Sequence, residues 1–218
     1  MNTYLQLLRD SMLAPRAAVD LARQHPNPLK LGWIFVGILS ACALISQIIV
    51  QYVLRPWLQI SVADSSPATA WMDSVFGTTL LSFLSYIFVF VGQRWFWRIN
   101  ANTNVSQQAV DAAIIAGFAI SIVIILPQDI LIEVLQNSSS FAALAAILFP
   151  IAVGMAYATV YFSHGLGISL SRSLWLNVLF ILLLIAVGII ALLVYFVAYA
   201  VFTGSSFDKM FAVSEAVQ

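Results

Sequence analysis

Five long apolar stretches, separated by short polar segments, occupy most of this 218-residue chain and leave little from which a water-covered domain could be built. A helix rises about 1.5 Å per residue and the hydrocarbon layer is about 30 Å thick, so a crossing needs about 20 apolar residues. Residues 31–54, 75–97, 141–162 and 174–202 meet that requirement without an Asp, Glu or Lys, and Arg94 lies near the end of the second. The remaining stretch, about 109–135, begins with Asp111 and is strongly apolar from Ala112 to Leu126. It then meets Pro127, Asp129 and Glu133, which places its last turns in the interface. Charged residues make up 8% of the chain and hydrophobic ones 62%, too little charge to cover a soluble surface. Barrel strands would alternate in polarity over about 10 residues, whereas Phe180 to Ala191 is apolar on every face. The expected fold is all-α: a polytopic transmembrane bundle of five spans. The last span exceeds a perpendicular crossing, which implies tilt, a bend near Gly188, or an end projecting beyond the bilayer.

Lys and Arg are retained on the cytoplasmic side, so the basic residues flanking the spans orient them. Arg9, Arg16, Arg23, Lys30, Arg94, Arg98 and Arg172 fall on one side, and only Arg55 and Lys209 on the other. Asp64, Asp73, Asp129, Glu133, Asp208 and Glu215 lean the opposite way. The expected topology is N-terminus inside and C-terminus outside. A formal net charge of zero gives no concentrated basic patch and argues against a nucleic-acid partner. The first apolar run is too long for a signal-peptide core and reads as an uncleaved anchor. Cys42, the single cysteine, excludes an intrachain disulfide and says nothing of redox compartment.

Residues 1–30 form a cytoplasmic amphipathic segment too short to bury a core. Tyr4, Leu5, Leu8 and Met12 recur at helical spacing, and Pro15 suits the first turn of a second helix in which Val19 and Ala22 share a side. Two placements follow: an interfacial helical segment on an anionic leaflet, or a leader packed on its own bundle. Residues 31–203 form the transmembrane domain, and residues 204–218 a short outer tail. The outer loop from Arg55 to Ser74 is broken by Pro56 and Pro67. An Asn- and Thr-rich turn at Ile99–Gln108 lies inside, and a Ser-rich one at Gln136–Ser140 lies outside.

Few residues offer chemistry. Asp129 and Glu133, four apart, share a helix face and suggest a cation or proton site at the outer surface; an acidic, solvated helix end explains them with fewer assumptions, because a hard cation needs more oxygen ligands. His164, beside Gly165 and Gly167, suits metal binding or pH sensing. No second His or Cys lies at ligand spacing, which favours an ordinary interfacial histidine. Arg172 follows in the same connection. Ser169 and Ser171 lack the glycines of a nucleophile elbow, and neither HExxH nor a P-loop occurs. No catalytic residue, metal or cofactor is therefore expected.

Within the spans the polar residues are mild, Ser46, Gln47, Ser82, Thr159 and Asn177 among them, and mid-membrane charge of the kind coupled transporters use is not expected. Ala113–Gly117–Ser121, Gly37–Ala41 and Gly154–Ala158 are small-residue stripes, suited to close helix packing within one bundle or to an oligomer interface. Pro150 interrupts hydrogen bonding in the fourth span and is expected to kink it, opening a groove or shaping the packing. All six tryptophans, Trp33, Trp57, Trp71, Trp95, Trp97 and Trp175, fall near span ends and read as interfacial anchors.

Ala14-Pro15-Arg16-Ala17-Ala18, Val105-Ser106-Gln107-Gln108-Ala109 and the connection from Tyr161 to Arg172 (YFSHGLGISLSR) together resemble the Yip1 family of multi-pass membrane proteins, especially its short bacterial members. The resemblance runs over nearly the whole chain through individually short motifs, and it implies a five-helix, N-inside architecture. Eukaryotic members act in ER and Golgi vesicle traffic and bind prenylated Rab-type GTPases. The chain lacks their long N-terminal region and Asp-Leu-Tyr-Gly-Pro motif, so GTPase binding is not carried over. The expectation is a non-enzymatic protein of the bacterial cytoplasmic (inner) membrane, or of ER or Golgi in a eukaryote. It would organise or bind lipids, other membrane proteins, or a second copy of itself. The alternative is a transporter or channel subunit for a small solute or lipid.

Overall fold

The computed structural model describes residues 3–58, 74–101, 105–136 and 140–203. The described elements are helical: α1 (Thr3–Leu13), α2 (Pro15–Gln24), α3 (Pro28–Ile49), α4 (Arg55–Leu58), α5 (Val75–Asn100), α6 (Gln107–Gln136), α7 (Ser140–Leu166) and α8 (Leu170–Thr203). A π-turn over Val50–Leu54 joins α3 to α4. The first residues of the expected Arg55–Ser74 loop, Arg55–Leu58, are helical and continue the first span; its residues 59–73, the turn tips at 102–104 and 137–139, and the tail 204–218 lie outside the described residues, together with Trp71.

Local sequence explains the boundaries. Pro15 and Pro28 occupy first-turn positions, where a missing N–H costs nothing. Asn27 caps α3 by accepting from the Lys30 N–H at 3.0 Å, and Ser74 caps α5 by accepting from Gly77 at 3.0 Å. At the end of α7, Gly167 takes the left-handed conformation (φ 63°), and Ile168 N–H reaches back to the Ser163 carbonyl at 3.1 Å. Together these form a Schellman stop that a residue with a Cβ would strain.

Four helices among the described residues are long and apolar enough to cross a membrane: Pro28–Trp57, Val75–Asn100, Gln107–Ile125 within α6, and Leu170–Thr203. Helix α7, with 27 residues, is the fifth long helix and continues unbroken through Pro150. Helix α6 is the axis of the bundle. Ala112 to Ala116 are fully buried, and α1, α2, α3, α5 and α7 all pack on it. Helix α8 is the opposite case, with only Ser173, Asn177 and Phe180 buried and Leu182, Ile189, Ile190 and Leu193 exposed. An apolar surface of this kind is stable against acyl chains and not against water.

Helices α1 and α2 pack against α6 and α7 and cover one end of the bundle, the capped end. Leu7, Ala18, Val19 and Ala22 are at most 1% exposed. Arg23 donates to the Gly165 carbonyl at 2.7 Å, and Tyr161 donates to the Ser11 carbonyl at 2.5 Å. The inward face of α1 is Leu7, Asp10 and Ser11, while Leu5, Met12 and Leu13 face outward. The spacing of Leu5 and Met12 therefore marks the outer side of α1 and not its buried side. The tryptophans also divide. Trp33, Trp57, Trp95 and Trp175 are exposed, but Trp97 is fully buried and stacks on Phe162 with centroids 4.0 Å apart. Reading Trp97 as an interfacial anchor is thus corrected: it is a core residue under the cap.

Helix approach is set by glycine at a few points. A Cβ on Gly32 would lie 2.5 Å from Cζ of Phe90, a ring that is itself fully buried. On Gly37, one and a half turns on, a Cβ would meet nothing within 4 Å. Gly32→Ala is expected to destabilise the protein by about 1–3 kcal/mol through overpacking. Gly37→Ala should be neutral or stabilising by up to about 1 kcal/mol. Unfolding of both variants in micelles, followed by circular dichroism, checks the contrast.

Candidate functional site

Every acidic residue of the described part of α6 points to a partner on another helix. Near the capped end, Arg94 of α5 clasps Asp111, with Nε to Oδ1 at 2.6 Å and Nη2 to Oδ2 at 3.3 Å, and Gln107 adds a bond to Oδ1 at 3.2 Å. Towards the far end, Arg55 of α4 clasps Glu133 through Nε to Oε1 at 2.6 Å and Nη2 to Oε2 at 3.2 Å. Between them, Ser46 of α3 donates to Asp129 Oδ2 at 2.6 Å. Asp111 and Glu133 are 5% and 7% exposed. Unpaired, such charges would bear the full cost of leaving water; bidentate guanidinium partners offset it.

This arrangement corrects the reading of Asp129 and Glu133 as a solvated acidic helix end. Glu133 is buried in an ion pair, and Asp129 is bound to Ser46 and lines the interior. Asp129 therefore faces the space between the helices, four residues beyond Ile125, where the apolar part of α6 ends. The π-turn at Val50–Leu54 sits directly before Arg55, and such wide turns re-aim the residues that follow.

The other sequence candidates lie elsewhere. His164 Nε2 is 3.0 Å from Asp20 Oδ1, joining α7 to α2 in the cap. Arg172 donates to the Asn100 carbonyl at 3.2 Å, tying the start of α8 to the end of α5. Pro150 lines the interior space near Asp129. Neither His164 nor Arg172 lines that space. Among the described residues, no three His, Cys, Asp or Glu side chains converge as a metal site would require.

This space is a half-open cavity of about 510 Å³ bordered by α3, α5, α6, α7 and α8, and two of its lining residues, Ser121 and Ile151, are exposed. Ser82, Tyr86, Gln47, Gln128 and Asp129 contribute polar groups at its far end, and Gln93 and Asn177 contribute amides nearer the cap. Phe118, Ile124, Met155, Phe180 and Leu184 supply apolar wall. Asn177 is only 5% exposed, and its Nδ2 has no hydrogen-bond partner among the described residues. Gly154 and Ala158, read as a packing stripe, line the cavity, whereas Ala113 meets Gly165, where an added Cβ would lie 3.0 Å from the alanine methyl. The volume and mixed lining are those of a ligand site. Sequence reasoning missed it because five helices each contribute a few unremarkable residues; Asn177 and Gln93 inside apolar runs were the available signal.

The molecule is a helical bundle with four helices able to cross a membrane and an amphipathic cavity inside it. No family model, curated protein or solved structure matches the chain. The ion pairs carry a prediction of their own. Asp111→Ala should leave Arg94 without its counter-charge and cost about 3–5 kcal/mol, whereas Ser46→Ala should cost about 1 kcal/mol. Denaturant titration of the two variants in mixed micelles measures both.

Proposed function

We propose that this chain is a non-enzymatic, five-span integral membrane protein that binds a membrane lipid or similar amphiphile and so organises its surroundings. The amphipathic cavity carries the reading, because a void of this size lined by both amides and aliphatic side chains suits a molecule with a head and a tail. In this reading α7 is the fifth crossing, its apolar length matching the hydrocarbon layer. The N-terminus and the cap lie inside and the C-terminus outside, as the seven-to-two distribution of basic residues supports. The membrane is the bacterial cytoplasmic one, and the resemblance to short Yip1-family members supports both the span count and the absence of enzymatic machinery. Membrane proteins and a second copy of the chain remain the macromolecular partners of this proposal; GTPase binding is not part of it.

A transporter or channel subunit is the second reading, favoured by Asp129 on the cavity wall. Solute flux in liposomes that disappears with Asp129→Asn would select it.

Two measurements bear on the first reading. Reporter fusions at Asn102 and Ser139 should place the former inside and the latter outside; the reverse pattern rejects the topology. Native mass spectrometry of protein released gently from its own membrane should retain a lipid-sized ligand at fixed stoichiometry, and a bare chain in repeated preparations counts against lipid binding.

A further inference from the structure

The cavity walls constrain the ligand's head group, and this inference rests on the lipid-binding reading above. Among the described residues no Lys, Arg or His lines the cavity. Arg94, next to Gln93 on the wall, and Arg55 are turned to Asp111 and Glu133. Asp129 is the one charged residue in the lining, and Ser46 engages only its Oδ2. An anionic head would meet a carboxylate with no counter-charge, which costs affinity in a low-dielectric site. A head that donates hydrogen bonds meets an acceptor instead, the Asp129 carboxylate, beside the amides of Gln47 and Gln128, which suit donors and acceptors alike.

The lining runs along α6 from Gly117 to Asp129, about 18 Å at 1.5 Å per residue, which is the length of one acyl chain lying along the helix.

We propose that the cavity binds an amphiphile with a neutral or cationic head, whose amine or hydroxyl donates to Asp129 while a chain lies along the apolar wall of α6. Glycine makes the site easy to close without disturbing the fold. Gly154 lines the cavity and an added Cβ there would meet nothing within 4 Å, so a leucine side chain would project into the void.

The test uses the full chain in phosphatidylcholine nanodiscs, with empty discs as the partition control and equilibrium dialysis as the readout. The probe is N-(2-aminoethyl)dodecanamide, which has an ammonium head, an amide oxygen and one chain; dodecanoate is the anionic competitor. One probe should bind per chain, with dodecanoate at least roughly tenfold weaker. Asp129→Asn should weaken the probe by roughly tenfold. Gly154→Leu should abolish binding while keeping the parental unfolding midpoint. Dodecanoate competing as well as the probe, Asp129→Asn binding like the parent, or no saturable binding of the probe would overturn the proposal. Retention of some other lipid, lost on Gly154→Leu, would still uphold the lipid-binding reading, so the two fail separately.

Discussion

A carboxylate buried between apolar helices has to find its partner inside the protein, because water no longer reaches it. Helix α6 brings three, Asp111, Asp129 and Glu133, and the rest of the bundle is arranged around them. Arg94 reaches in from α5, Ser46 from α3 and Arg55 from α4. A helix with these needs is stable at the centre, and α6 is accordingly the helix on which most of the others pack. Helix α8 has no charge after Arg172, and an 18-residue window of it has a mean hydropathy of 3.2, so it can present most of its surface to lipid.

The same constraint explains the cavity. The clasps at Asp111 and Glu133 hold α6 to α5 and to the end of the α3 rod, on either side of a stretch where Gly117, Gly154 and Ala158 offer little volume to fill the space between helices. Polar side chains that would otherwise be unwelcome in apolar helices, such as Gln93, Gln47 and Asn177, gather on its walls. The cap of α1 and α2 closes the end of the bundle nearer to Arg94, bonded through Ser11, Met12, Asp20 and Arg23 to α7.

Helix positions were legible from the chain because twenty-residue apolarity and proline punctuation are local properties; Pro15, Pro28 and Gly167 mark real boundaries. What the side chains face was much less legible. Asp129 and Glu133 look like a solvated end when read along α6, since their partners are 83 and 78 residues away. Trp97 looks like an anchor because its distance from a span end is visible and its stack on Phe162 is not. Leu5 and Met12 share a helix side, but periodicity alone does not tell a lipid-facing side from a packed one. Asn177 was visible as a polar residue in a long apolar run, and only the fold brings it to the same space as Asp129.

The most direct test is a charge exchange across the clasp at the far end: Arg55→Glu, Glu133→Arg and the two combined, with unfolding free energies measured in the same micelles. Each single exchange places two like charges where an ion pair now sits and should destabilise by at least about 3 kcal/mol, and the double exchange should recover most of that loss. Single variants as stable as the parent, or a double variant no better than the sum of the singles, would contradict an α6 held at the centre by paired charge.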